Sequence, residues 1–218
     1  MFDFVSAYDF LIRIPIVLIA LTVHEVAHGY AAYKLGDPTA KSLGRLSLNP
    51  VRHLDPIGAL CMLLFRFGWA RPVPVNTRYF KKPRRDMALT ALAGPLSNLC
   101  MAILALMIAR YMELITVSID NVGGRILFLL YFFFQLFATM NLGLAIFNLI
   151  PLPPLDGSRI FLIFLPDKFY FGIMKYERYI SYALFALLFF GMLDYPLSFL
   201  FNACYTGINF LISFLPFL

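Results

Sequence analysis

The sequence predicts an all-α membrane protein, a polytopic bundle of about five transmembrane helices with a short re-entrant or β-like segment between the first two. Three observations carry this. Of 218 residues, 61% are hydrophobic and 14% charged, whereas charged residues make up about a quarter of an ordinary soluble domain. The apolar residues fall in runs that approach or exceed the roughly 20 residues needed to cross a hydrocarbon core as helix. The long polar connection between the first two runs is strongly basic, as cytoplasmic connections are.

In chain order the spans fall at roughly residues 10–34, 87–110, 125–150, 177–193 and 196–216. The first lacks the basic start and small-residue cleavage site of a signal peptide and is expected to be retained. Between it and the second lie Lys34, Lys41, Arg45, Arg52, Arg66, Arg71, Arg78, Lys81, Lys82, Arg84 and Arg85, with only Asp37 and Asp55 in opposition. The positive-inside rule puts this segment in the cytoplasm and makes the chain a multi-pass protein of the cytoplasmic membrane. The run Lys81–Arg85 reads as an anchor on anionic lipid headgroups of the bilayer rather than a nucleic-acid site. Gly58 and its apolar neighbours from Ile57 to Phe67 could open a re-entrant turn. No connection is long enough for a separate soluble domain of ordinary size, so residues 1–218 are expected to form a single membrane domain. Cys61, Cys100 and Cys204 are far apart and odd in number, which suggests packing rather than a disulfide framework or thiolate metal site.

The first span contains ALTVHEVAHGYAAY. His24 and His28, four residues apart on a helix, project from one face toward one ion, with Glu25 beside them as general base for water. Imidazole and carboxylate groups inside a span cost a few kcal/mol or more, and a divalent cation offsets that cost. Zinc needs a third protein ligand and an open position. Asp156 is the favoured candidate, because Pro151, Pro153 and Pro154 in NLIPLPPLDGSRI break the third span, and broken backbone at membrane depth lines a protein-buried or watery cavity. His53 and Asp55 in LNPVRHLDP compete as ligands, although solvation and turn chemistry explain them more simply. His24 lies about 15 Å along the helix from Lys34 at about 1.5 Å per residue, and Asp156 follows the cytoplasmic end of the third span. Both halves therefore approach the cytoplasmic face.

HEVAHGY in the first span, FGWARPVPVN after it, AGPLSN in the second span and FNLIPLPPLDG closing the third together resemble the site-2 protease family of intramembrane zinc metalloproteases. The likeness covers roughly residues 15–165 and is to the short form, with no stretch for the PDZ or CBS domains of larger members. It implies one zinc ion per chain held by His24, His28 and Asp156, with Glu25 as base. It also implies Asn148 near the scissile carbonyl and Asn98 in support of the site.

The expected activity is hydrolysis of a peptide bond in or near a transmembrane segment of a membrane-protein or peptide substrate. A substrate helix must first unwind, because its backbone is already hydrogen-bonded to itself. In WARPVPVN, Pro72 and Pro74 lack donors on one edge of an extended strand, while Val73 and Val75 present theirs on the other, where a substrate strand could add. Val73, Val75 and Asn76 are accordingly the candidate substrate-contacting residues of this segment. A different zinc protease fold would need a distant glutamate ligand, and Glu113 and Glu177 sit in no such motif. A non-proteolytic ion or metal carrier could use the same polar residues, but the internal repeats common among such proteins are not evident.

Overall fold

The computed structural model describes residues 7–53, 55–65, 71–114 and 122–214. They form α1 (Ala7–Lys34), α2 (Thr39–Ser42), α3 (Pro56–Phe65), α4 (Pro83–Leu114), α5 (Val122–Asn148), α6 (Asp156–Phe161), α7 (Asp167–Lys175), α8 (Glu177–Phe189) and α9 (Asp194–Ser213). No strand occurs among the described residues. The fold is all-α and polytopic.

Three helices are long and apolar enough to cross a membrane: Leu11–Lys34 within α1, Pro83–Glu113 within α4, and Val122–Asn148, which is α5. The segments expected as fourth and fifth spans fall on α8 and α9, a pair bent by 83° at a short break that has the length and apolarity of a span only when taken together. With 13 residues, α8 extends only about 20 Å and cannot cross alone. Gly191 stands at φ +69° in that break, where its missing Cβ removes the penalty for left-handed backbone.

The centre of the bundle is α4, which packs against α1, α5 and α6. Its buried face is built from small residues, Ala88, Ala91, Gly94, Ala102, Ala105 and Ala109, at helical spacing. Leu89, Leu92, Leu96, Leu104 and Ile108 on the same helix are exposed. Lipid tails are as apolar as leucine, so helix association in a bilayer relies on close backbone approach and van der Waals contact, which small residues permit. Two apolar clusters fasten the neighbours. Ala105 and Leu106 of α4 meet Ala138 of α5 and Ile212 of α9, while Val17 and Leu21 of α1 meet Met140 and Leu144 of α5.

The segment expected to be re-entrant or β-like divides in two. Pro56–Phe65 is the ten-residue helix α3, which contacts α1. Asp55 starts it by accepting the Ile57 and Gly58 N–H groups at 3.0 and 2.9 Å. Residues 71–76 then run without helical structure. Whether the two form a re-entrant hairpin depends on residues 66–70, which lie outside the described residues.

Candidate metal centre

His24 and His28 lie one turn apart on α1, their rings edge to face with centroids 4.5 Å apart. Asp156 reaches them as the first residue of α6. Its place depends on Gly157, because a Cβ there would run into the Leu149 and Ile150 carbonyls at the end of α5. The two Nε2 atoms are 3.0 Å apart, and Asp156 Oδ2 is 3.1 Å from that of His24 and 3.2 Å from that of His28.

The other ring nitrogens fix what these atoms are. His28 Nδ1 lies 2.8 Å from the Thr90 carbonyl, which only accepts, so in the neutral ring Nδ1 carries the proton and Nε2 a lone pair. His24 Nδ1 donates to Asn98 Oδ1 at 2.5 Å, which leaves its Nε2 in the same state. Asn98 is fully buried and its amide donates to Asn141 Oδ1 at 2.9 Å and to the Ala20 carbonyl at 3.4 Å. With both rings neutral, as metal ligation requires, two imidazole lone pairs and a carboxylate oxygen converge with no donor between them, a repulsive arrangement that a cation relieves. Tetrahedral zinc with bonds of about 2.0–2.1 Å separates its ligand atoms by about 3.3 Å, close to the observed triangle. The donor set and spacing fit a metal ion of this kind, and among the described residues this is the one group of His, Cys, Asp or Glu with metal-ligand spacing.

Gly94 of α4 makes room for the rings. A Cβ at that position would overlap the His28 imidazole and stand 2.7 Å from His24 Cε1.

Glu25, 8% exposed, turns to the non-helical segment and accepts the Val73 N–H on Oε2 at 2.8 Å. That segment is pinned along its length. The Arg71 N–H donates to the His53 carbonyl at 2.9 Å, Arg45 donates to the Arg71 carbonyl at 2.7 Å, and the Asn76 N–H donates to Asp37 Oδ2 at 2.7 Å. Asp37 is fully buried at the end of α1 and also accepts from the Thr39 N–H and hydroxyl. Burial, and after it the Arg71 charge, push the Arg45 guanidinium below its ordinary value, while Glu25 pulls it the other way.

The sequence model of peptidase family M50 matches residues 12–191. The chain belongs to peptidase family M50. Among curated relatives, YwhC of Bacillus subtilis, named as a candidate zinc metalloprotease, is 49% identical over 148 residues, 66% of this chain and 64% of its own length. Rip2 of Mycobacterium tuberculosis, named in the same way, is 31% identical over 64% of this chain and 52% of its own. The zinc metalloprotease MJ0392 of Methanocaldococcus jannaschii is 27% identical over 73% of this chain and 35% of its own. The chain therefore spans less than two thirds of the length of these relatives. No solved structure matches. Family M50 agrees with the site-2 protease likeness carried by the motifs, and its long apolar helices make this member an integral membrane protein.

Within the M50 fold the expected site residues separate. His24, His28 and Asp156 come together, Glu25 lies next to His24 in sequence, and Asn98 touches His24. The Asn148 amide donates to its own helix, to the Leu144 carbonyl at 3.0 Å. The Val73 N–H, expected on an open edge, is given to Glu25, and Asn76 spends its backbone N–H on Asp37 and its side chain on the Arg78 N–H. Val75 is half-buried and makes no backbone hydrogen bond to the described residues. His53 is fully buried with Nε2 on the Ser47 carbonyl at 2.7 Å, and Asp55 caps α3. Sequence reading missed Gly94, Thr90, Asp37 and Asn141. For Asn141 a signal existed, since a lone Asn inside an apolar span is expensive without a partner.

Proposed function

We propose that this chain is a zinc-dependent intramembrane endopeptidase in which His24, His28 and Asp156 hold one zinc ion and Glu25 is the general base. The observation that supports it most strongly is the convergence at 3.0–3.2 Å of the His24 and His28 Nε2 atoms, on a membrane-length helix that also carries Glu25, with Asp156 Oδ2. The relatives are named as zinc metalloproteases, which supports zinc as the ion. Bound zinc would supply Lewis acidity and bring the pKa of water to about 7.

Glu25 takes the proton of the attacking water and hands it to the leaving amine. Its carboxylate is held for that task by the Val73 N–H. An amide nitrogen offers two donors, so Asn148 can keep its bond to Leu144 and direct the second N–H at the developing oxyanion. Substrate is a transmembrane protein or peptide segment, unwound near the scissile bond. With the Val73 donor committed, a substrate strand would pair through Val75. The basic residues from Lys34 to Arg85 support a site toward the cytoplasmic face of the cell membrane.

The test compares membrane proteins in cells carrying wild type or Glu25→Gln. A transmembrane fragment made only with wild type is expected, and identical fragment patterns would refute the proposal.

A further inference from the structure

The geometry points to Asn141 of α5 as a positioning residue that sets the polarity of a hydrogen-bond relay and so presents the His24 lone pair to the metal. This rests on the zinc reading above and extends it to a residue about one helix removed from the ion.

An amide side chain can present either its oxygen or its nitrogen, and only the oxygen end of Asn98 serves His24 as required. Were Asn98 to turn over, its NH2 would face His24 Nδ1, the ring would accept there, and the proton would move to Nε2, where it blocks ligation. What prevents this is fixed from the far end. Asn141 Nδ2 donates to the Phe137 carbonyl at 2.9 Å, and a carbonyl only accepts, so Asn141 Oδ1 must face Asn98. Asn98 must then turn its NH2 to that oxygen at 2.9 Å and its own oxygen to His24. The second bond of the Asn98 amide, to Ala20, is longer at 3.4 Å and goes to a carbonyl within α1. Asn141 therefore holds the orientation more firmly. Both asparagines are fully buried, so water does not substitute for either partner. The relay crosses three helices, from α5 through α4 to α1.

The test is zinc affinity by chelator competition on purified full chain, with thermal melting of the metal-free protein as a separate readout. Asn141→Leu is expected to weaken zinc about 10- to 100-fold, the range for loss of a partner behind a metal ligand. Asn141→Asp should restore affinity to near wild type, because a neutral carboxylic acid in this apolar site donates to Phe137 and accepts from Asn98 in the same pattern. Asn141→Ser, too short to reach Asn98, replaces the leucine variant if that one fails to fold. Unchanged affinity in Asn141→Leu or Asn141→Ser, or a loss in Asn141→Asp as large as in Asn141→Leu, would overturn the relay while leaving the metal site standing. Absence of zinc from the wild type would instead overturn the zinc reading itself.

Discussion

Replacing Gly94 by alanine adds one methyl group at the point where α4 meets both imidazoles. The new Cβ would lie 2.7 Å from His24 Cε1 and closer still to the His28 ring, against 3.4–4 Å for ordinary contact. Relief requires the His24 ring to retreat by about 0.7 Å or more, several times the roughly 0.2 Å tolerance of a zinc–ligand bond. Without metal the rings can rotate away, and the intrinsic preference of a helix for alanine over glycine, about 1 kcal/mol, works in the variant's favour. With metal both rings must return, so the overpacking cost of about 1–3 kcal/mol falls on the bound state. Zinc affinity should drop roughly 5- to 150-fold at about 1.4 kcal/mol per decade. The metal-free protein should melt within a few degrees of wild type. Chelator competition and thermal melting on the same preparations measure the two. Zinc affinity within twofold of wild type would refute this packing of α4 against α1.

His24→Ala, His28→Ala and Asp156→Ala should each reduce zinc well below one per chain by elemental analysis, whereas Asp55→Ala, which removes only the cap of α3, should keep it; the reverse pattern at the two aspartates would reassign the third ligand. A membrane-impermeant thiol reagent on intact cells expressing cysteine-free background variants should miss a cysteine placed at Lys82 and label one placed at Val122; the opposite pattern would invert the topology. Helix-breaking Gly, Pro or Asn near the scissile bond of a transmembrane substrate should accelerate cleavage and a stable Leu-rich segment should resist it. Val75→Pro should slow cleavage with zinc retained, Pro74→Ala should have less effect, and equal rates throughout would reject strand addition.

The chain disclosed its metal centre because the relevant signals are local. Four-residue spacing puts His24 and His28 on one helix face, and prolines ahead of Asp156 announce a broken helix at depth. The all-α class was equally legible from the apolar runs. Less was legible where two distant residues must meet. Asn98 and Asn141 lie on different helices, and nothing within either window reports the other. In the sequence Asp37 stands only as one of two acidic residues in a basic segment, yet it is buried and fastens the backbone at Asn76. Alternation with proline puts Val73 on an open edge, because it shows which groups can donate and not what already accepts from them. The pairing of α8 with α9 escaped for a related reason, since hydropathy marks apolar length but not the 83° bend at the break.

The most direct test is cleavage of a reconstituted transmembrane substrate by zinc-loaded wild type and Glu25→Gln, with zinc content determined on the same samples. Glutamine keeps the size of Glu25 and can still accept the Val73 N–H, but it cannot take a proton from water. Zinc should stay at one per chain while the cleavage rate falls at least about a hundredfold. Near-wild-type cleavage by the zinc-replete variant would contradict Glu25 as the base and the protease chemistry built on it.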